Sequence, residues 1–268
     1  LLGLLLLVGA AQGMAQSLIP GMKSGASSQA AAPSKVGTDA DSLDAQIKEI
    51  QQRLARLQNQ VVQVPPPGAT DAEWDKYQLM QTSEARSLTA HLNALRNLAE
   101  EQRTEEDRAA SRKAWKGFGQ KPPYDVALVD DWWGQVRLKA REVEATRVEQ
   151  RLVDNVFEQE KKTLKTAQQA KRQSDEQLLT SDDPAQAARL RWLAELARVS
   201  TRYSETRVGL FETQRSLLAE KTANQQAQRQ WLEEKAEQAS RSLVFSRQEL
   251  DALLAKLTEQ SQAVAQQS

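Results

Sequence analysis

Residues 42–64 read SLDAQIKEIQQRLARLQNQVVQV, and the apolar positions Leu43, Ile47, Ile50, Leu54, Leu57, Val61 and Val64 fall at alternating spacings of 4 and 3. That is a heptad seam, the pattern that keeps one stripe of a helix facing a partner helix. The spacing predicts a first helix over 42–63. Pro65-Pro66-Pro67-Gly68 stops it, because consecutive prolines offer no N–H and clash with the preceding turn.

The rest of the chain repeats this logic on a longer scale. Beyond residue 37 only five glycines occur, and proline is confined to 65–67, 122–123 and 184. Three proline-free stretches follow, at 68–121, 124–183 and 185–268, each long enough for helices of several dozen residues. The composition agrees: 38 Ala and 32 Gln among 268 residues, 27% charged side chains and only 5% aromatics. A β-rich fold would need turn residues every 8–12 positions, and they are missing. The fold class expected is all-α, an elongated long-helix bundle or antiparallel coiled coil of four to five helices.

Particular helices can be placed. Thr70-Asp71-Ala72-Glu73 is a capping box that starts the second, with an apolar stripe of Trp74, Tyr77, Ala85, Leu88, Leu92, Leu95 and Ala99. His91 lies in this helix and reads as a solvated or half-buried helix residue. The charged run 103–114 reads as a solvated face laced with ion pairs. A third helix is expected from Asp125 or Val126 to about Leu179, with one seam through Val129, Trp133, Val136, Ala140, Val143, Val153, Phe157 and Leu164. A second seam at Val148, Leu152 and Val156 predicts a helix touched on two sides, polar and thin beyond Leu164. Asp183-Pro184 restarts the chain into a fourth helix. Its seam through Leu190, Leu193, Leu196, Tyr203, Leu210, Leu217 and Trp231 is interrupted by Arg207, Gln214, Lys221, Asn224 and Gln228, which predicts shallow or flexible packing. Near Leu243 the pattern resets. Ser246-Arg247-Gln248-Glu249 is a second capping box, stapled by Phe245 and Leu250, ahead of a last stripe at Leu250, Leu253, Leu254 and Leu257.

The ends differ from this body. Leu1–Ala11 is an apolar run followed by Gly13-Met14-Ala15, which reads as the h-region and cleavage site of a signal peptide over 1–15 without its basic n-region. Residues 16–41 read as a disordered leader, 42–260 as the helical region, and 261–268 as a frayed or truncated end.

The chemistry available is narrow. With no Cys and one His there is no disulfide, zinc–thiolate or multi-histidine site. With 36 basic and 36 acidic side chains the net charge is zero, and no basic stripe is interleaved with aromatics for nucleic acid. Gly117-x-Gly119 lacks the third glycine, the preceding strand and the lysine–serine pair of a phosphate loop. The expectation is no enzyme, no cofactor, no metal, no nucleic-acid partner and no small-molecule substrate.

One loop is locally complex: two Gly, two Pro and three aromatics lie between Ala114 and Tyr124. Trp115-x-Gly117-Phe118, Pro122-Pro123-Tyr124 and Val129-Asp130 resemble a loop in the long extracytoplasmic N-terminal regions of MscS-like mechanosensitive channels. Phe245-Ser246, followed by Glu249-Leu250-Asp251 and Leu254, resembles a segment found later in such regions. The resemblance covers about residues 42–260. It departs where Asp131-Trp132-Trp133 stands in place of a Leu-Arg or similar dipeptide. It implies a periplasmic region of an inner-membrane protein of a Gram-negative bacterium. The implied partner is a membrane domain of the same polypeptide, which would carry the pore and the homo-oligomeric contacts. Such channels open under membrane tension and release solutes on hypo-osmotic shock. The competing reading is a free periplasmic coiled-coil scaffold, adaptor or chaperone.

Overall fold

The structure is a computed structural model that describes residues 40–59, 64–119, 121–180, 183–243, 250–251, 254–259 and 261–262. The expected signal peptide, nearly all of the leader, and the Phe245–Glu249 cap lie outside the described residues. The fold is all-α. Four long helices, α1 (Ala40–Asn59), α2 (Asp71–Ala114), α3 (Val126–Thr180) and α4 (Pro184–Arg241), pack against one another, and helical residues recur at 250–251, 254–259 and 261–262. At 1.5 Å per residue, the 55 residues of α3 span about 80 Å.

The α1 seam packs on α2. Leu43, Ile50 and Leu57 join Leu88, Leu92, Leu95 and Leu98 in one buried cluster, with Ile47 and Leu54 half-buried against it. The seam is shorter than its heptads. Val64 is outside the helix and 70% exposed, because a residue preceding proline is pushed out of the helical region.

The capping box of α2 forms as read and then goes further. Glu73 N–H donates to Thr70 Oγ1 at 3.4 Å, and Thr70 N–H to Glu73 Oε2 at 3.2 Å. The same carboxylate takes both terminal nitrogens of the α4 Arg189 guanidinium (Nη2 at 2.6 Å) and the Trp192 indole N–H at 3.0 Å. Arg189 holds the Glu73 carboxyl down at about 2, against the partial burial that would raise it. Gly68, at φ +87°, lets the turn lie directly on α4: a Cβ there would sit 2.9 Å from the Arg189 backbone.

Two expectations about packing are corrected. Among the described residues α3 is not touched on two sides. It packs along α4, and Val148 (53% exposed) and Leu152 (62%) face water. α4 is not shallow; it takes α3 on one side and α2 on the other. Its buried positions include Thr201, Ser204, Thr206, Thr213, Thr222 and Asn224, which a hydrophobic period does not register. Small side chains let helices approach closely, and their polar atoms are satisfied across the interface or by the preceding turn. Towards α3, Thr201 Oγ1 donates to the Ala167 carbonyl (3.2 Å), Arg207 to Glu160 (2.6 Å), Arg215 to Asp154 (2.5 Å), and Thr146 Oγ1 to Gln225 (2.9 Å). This pair is antiparallel. Towards α2, Arg202 donates to Glu84 (2.9 Å) and Asn224 to Glu101 (3.0 Å), and this pair is parallel. Polar seam residues such as Arg207 and Asn224 are therefore specific clasps, whereas Lys221 is exposed. The thin end expected beyond Leu164 still engages α4, through Ala167 and an Asp175–Arg198 pair at 3.0 Å.

His91 is half-buried between α2 and α4, its Nε2 2.9 Å from Thr213 Oγ1 and its Cε1 3.1 Å from where a Cβ on Gly209 would stand. Burial, with the charge of Arg53 second, lowers its pKa from the ordinary 6.5. A lowered histidine pKa means the unfolded chain binds the proton first, so stability is full above about pH 6.5 and falls as pH drops below it. Thermal melts from pH 8 to 5 should show this loss, and His91→Gln should flatten that part of the profile.

Candidate functional site

The residues 115–124 connect α2 to α3, and the structure folds them into an aromatic corner against the end of α4. Gly117 turns the chain at φ +108°, a conformation that side-chain-bearing residues rarely adopt. The turn brings Phe118 back onto Trp115 (centroids 5.4 Å apart), Tyr124 (4.9 Å) and Trp132 (5.9 Å), all edge-on. Tyr124, Val129 and Ala239 are buried together, with Phe118, Leu128, Trp133 and Leu243 around them. The backbone is tied as well: Tyr124 N–H donates to the Ser242 carbonyl at 3.0 Å, and Tyr124 and Leu243 form an isolated parallel bridge. The Trp133 indole donates to Ser240 Oγ at 3.2 Å. Asp125 Oδ1 accepts from Leu128 N–H at 2.7 Å and caps α3.

The centre of the corner is a lysine. Lys235, 5% exposed, places its Nζ 3.4 Å from the Trp231 ring centroid and 4.6 Å from those of both Trp115 and Trp132. Three indole faces attract the ammonium through their quadrupoles, and burial lowers its pKa from 10.5. Among the described residues it has no carboxylate within ion-pair distance. The indole nitrogens of Trp132 and Trp231 are buried without a partner there.

Of the residues singled out by sequence, the fold brings Trp115, Gly117, Phe118, Tyr124 and Val129 together. Pro122, Pro123 and Asp130 are exposed at the rim, Asp130 3.6 Å from Arg137. Phe245 and Ser246 lie outside the described residues. Leu250, Leu254 and Leu257 are 48%, 54% and 60% exposed and Asp251 is exposed, so the described part of the last stripe faces water. The sequence singles out the aromatic loop but not Lys235 or the reach to Trp231. The available signal was the spacing of Trp231 and Lys235, one helical turn apart on one face.

Chemically the corner is a clamp. It fixes the end of α2, the start of α3 and the end of α4 by ring contacts, one indole hydrogen bond and one caged cation. Trp115→Ala removes two edge-on ring pairs and one wall of the cage. Because Trp115 is only half-buried, the expected loss is about 2–3 kcal/mol, below or at the low end for a fully buried aromatic. A urea titration of the variant measures it directly. Among the described residues no group of three His, Asp or Glu side chains could hold a metal, and no helix is long and apolar enough to cross a membrane. The chain matches no protein-family model, no curated protein and no solved structure.

Proposed function

We propose that this chain is the periplasmic helical region of an MscS-like mechanosensitive channel, with a structural or modulatory role and no catalytic one. The observation that supports it is the aromatic corner: Trp115, Gly117, Phe118, Tyr124 and Val129, which carry part of the resemblance, converge on one joint between three helices. There they fix the end of α2 against the start of α3 and the end of α4, as residues that set the angle between long helices do. A helical region cannot sense bilayer tension by itself. It acts through a membrane domain of the same polypeptide, tuning its threshold or its inactivation. The scaffold or adaptor reading draws on a different observation, the apolar stripe that α3 leaves facing water.

The test is electrophysiological. In the full gene, residues 42–260 are deleted and the remainder is examined in membrane patches. The proposal expects a conducting channel with a shifted tension threshold or altered inactivation. A reading frame that encodes no apolar runs of roughly 20 residues beyond residue 268 overturns it.

A further inference from the structure

We infer that the outward face of α3 is a homotypic docking surface on which a second copy of this chain pairs its own α3 in antiparallel register. Val143, 1% exposed, marks the side of α3 that faces α4. The opposite side carries Leu138, Ala145, Val148 and Leu152, all exposed, at spacings of 7, 3 and 4. Leu138, Val148 and Leu152 are 58%, 53% and 62% exposed. An apolar stripe at heptad spacing is the feature by which helices pair, and among the described residues no helix of the same chain covers it.

The charges flanking the stripe choose the partner and its direction. Extending the heptad gives core positions Leu138, Arg141, Ala145, Val148, Leu152 and Asn155. In a parallel pair, Arg141 would meet Arg141 and Glu144 would meet Glu149 twice, against two opposite-charged contacts of Arg137 with Glu142. An antiparallel pair with its two-fold axis between Thr146 and Arg147 sets Ala145 on Val148, Arg141 on Leu152 and Leu138 on Asn155. The same register places Arg137 opposite Glu158 and Glu144 opposite Arg151, each twice by symmetry. One kind of like-charged contact remains, Glu142 with Glu149, also twice by symmetry; within each chain Lys139 pairs with Glu142, Arg137 with Asp130, Arg147 with Glu144 and Lys161 with Glu158. Opposite-charged contacts thus outnumber like-charged ones only in the antiparallel direction. Its 22 residues from Arg137 to Glu158 run about 33 Å, and four of the six core layers contain a polar residue, which makes the dimer reversible while fixing its register.

The cysteine-free chain makes the register directly testable. In the 268-residue protein, oxidation of Leu138→Cys/Asn155→Cys should give a covalent dimer. The two positions are about 25 Å apart within one helix and cannot bridge inside one chain. Leu138→Cys alone should stay uncross-linked. Sedimentation should show concentration-dependent dimerisation, and Leu152→Glu should weaken it at least about tenfold, with an unchanged thermal melt because the residue is exposed. A monomer at every concentration overturns the inference, as does cross-linking by Leu138→Cys alone, which reports a parallel pair. A monomer that binds anionic phospholipid vesicles through Leu152 also overturns it and assigns the stripe to a membrane surface.

Discussion

Arg202→Ala is expected to cost about 3–5 kcal/mol, the range for stripping a buried charge of its partner. Glu84 is 2% exposed in the seam where α1, α2 and α4 meet. Both its oxygens accept from Arg202 Nε, at 3.0 and 2.9 Å. Its remaining neighbour is Arg53, 3.8 Å away, whose Nη2 donates to Thr206 Oγ1 at 3.0 Å. Removing Arg202 leaves a buried carboxylate whose nearest remaining cation, Arg53, is engaged with Thr206. Arg53→Ala should cost less, because Arg202 keeps both contacts. Replacing Glu84 and Arg202 together by Leu should recover most of the loss, since an apolar pair of similar size carries no desolvation penalty. Denaturant midpoints of the three variants separate these outcomes.

Leu95→Ala is the second large effect, about 2–5 kcal/mol from lost transfer energy and the cavity left behind. Leu95 is 1% exposed at the centre of the cluster that joins α1 to α2. Apart from that cluster, α1 is held through Arg53, so the damage should be local before it is global. Hydrogen exchange should show α1 amides losing protection first, while the α3–α4 pair keeps its own.

Much of this architecture was legible in the sequence where the signal is local. Pro65 and Thr70 set the turn between α1 and α2, Asp125 the start of α3 and Pro184 the start of α4, because caps and proline act within a few residues. The α1 seam was legible for the same reason, up to the point where Pro65 overrides it at Val64. Partnership was not. Two apolar stripes on α3 led to the expectation of two neighbours, yet Leu152 faces water, while α4, read as weakly packed, lies between α2 and α3. The reason is physical: α4 buries Thr, Ser, Ala and Asn, whose contribution is close approach and hydrogen bonds, and these have no signature in a hydrophobic period. The candidate site divides in the same way. Trp115, Phe118 and Tyr124 were legible as a corner because they cluster in sequence. Lys235 was not, because a lysine counts as solvated until three indoles from three separate segments are placed around it.

Asn224 and Gln225 are consecutive residues of α4, yet the first donates to Glu101 of α2 and the second accepts from Thr146 of α3. That juxtaposition condenses the placing of α4 between its two neighbours, and disulfide mapping in the cysteine-free chain tests it. Oxidised Glu101→Cys/Asn224→Cys and Thr146→Cys/Gln225→Cys should each close an intramolecular bond in the monomer. If either pair stays reduced, or bridges only between chains, α4 does not lie between α2 and α3.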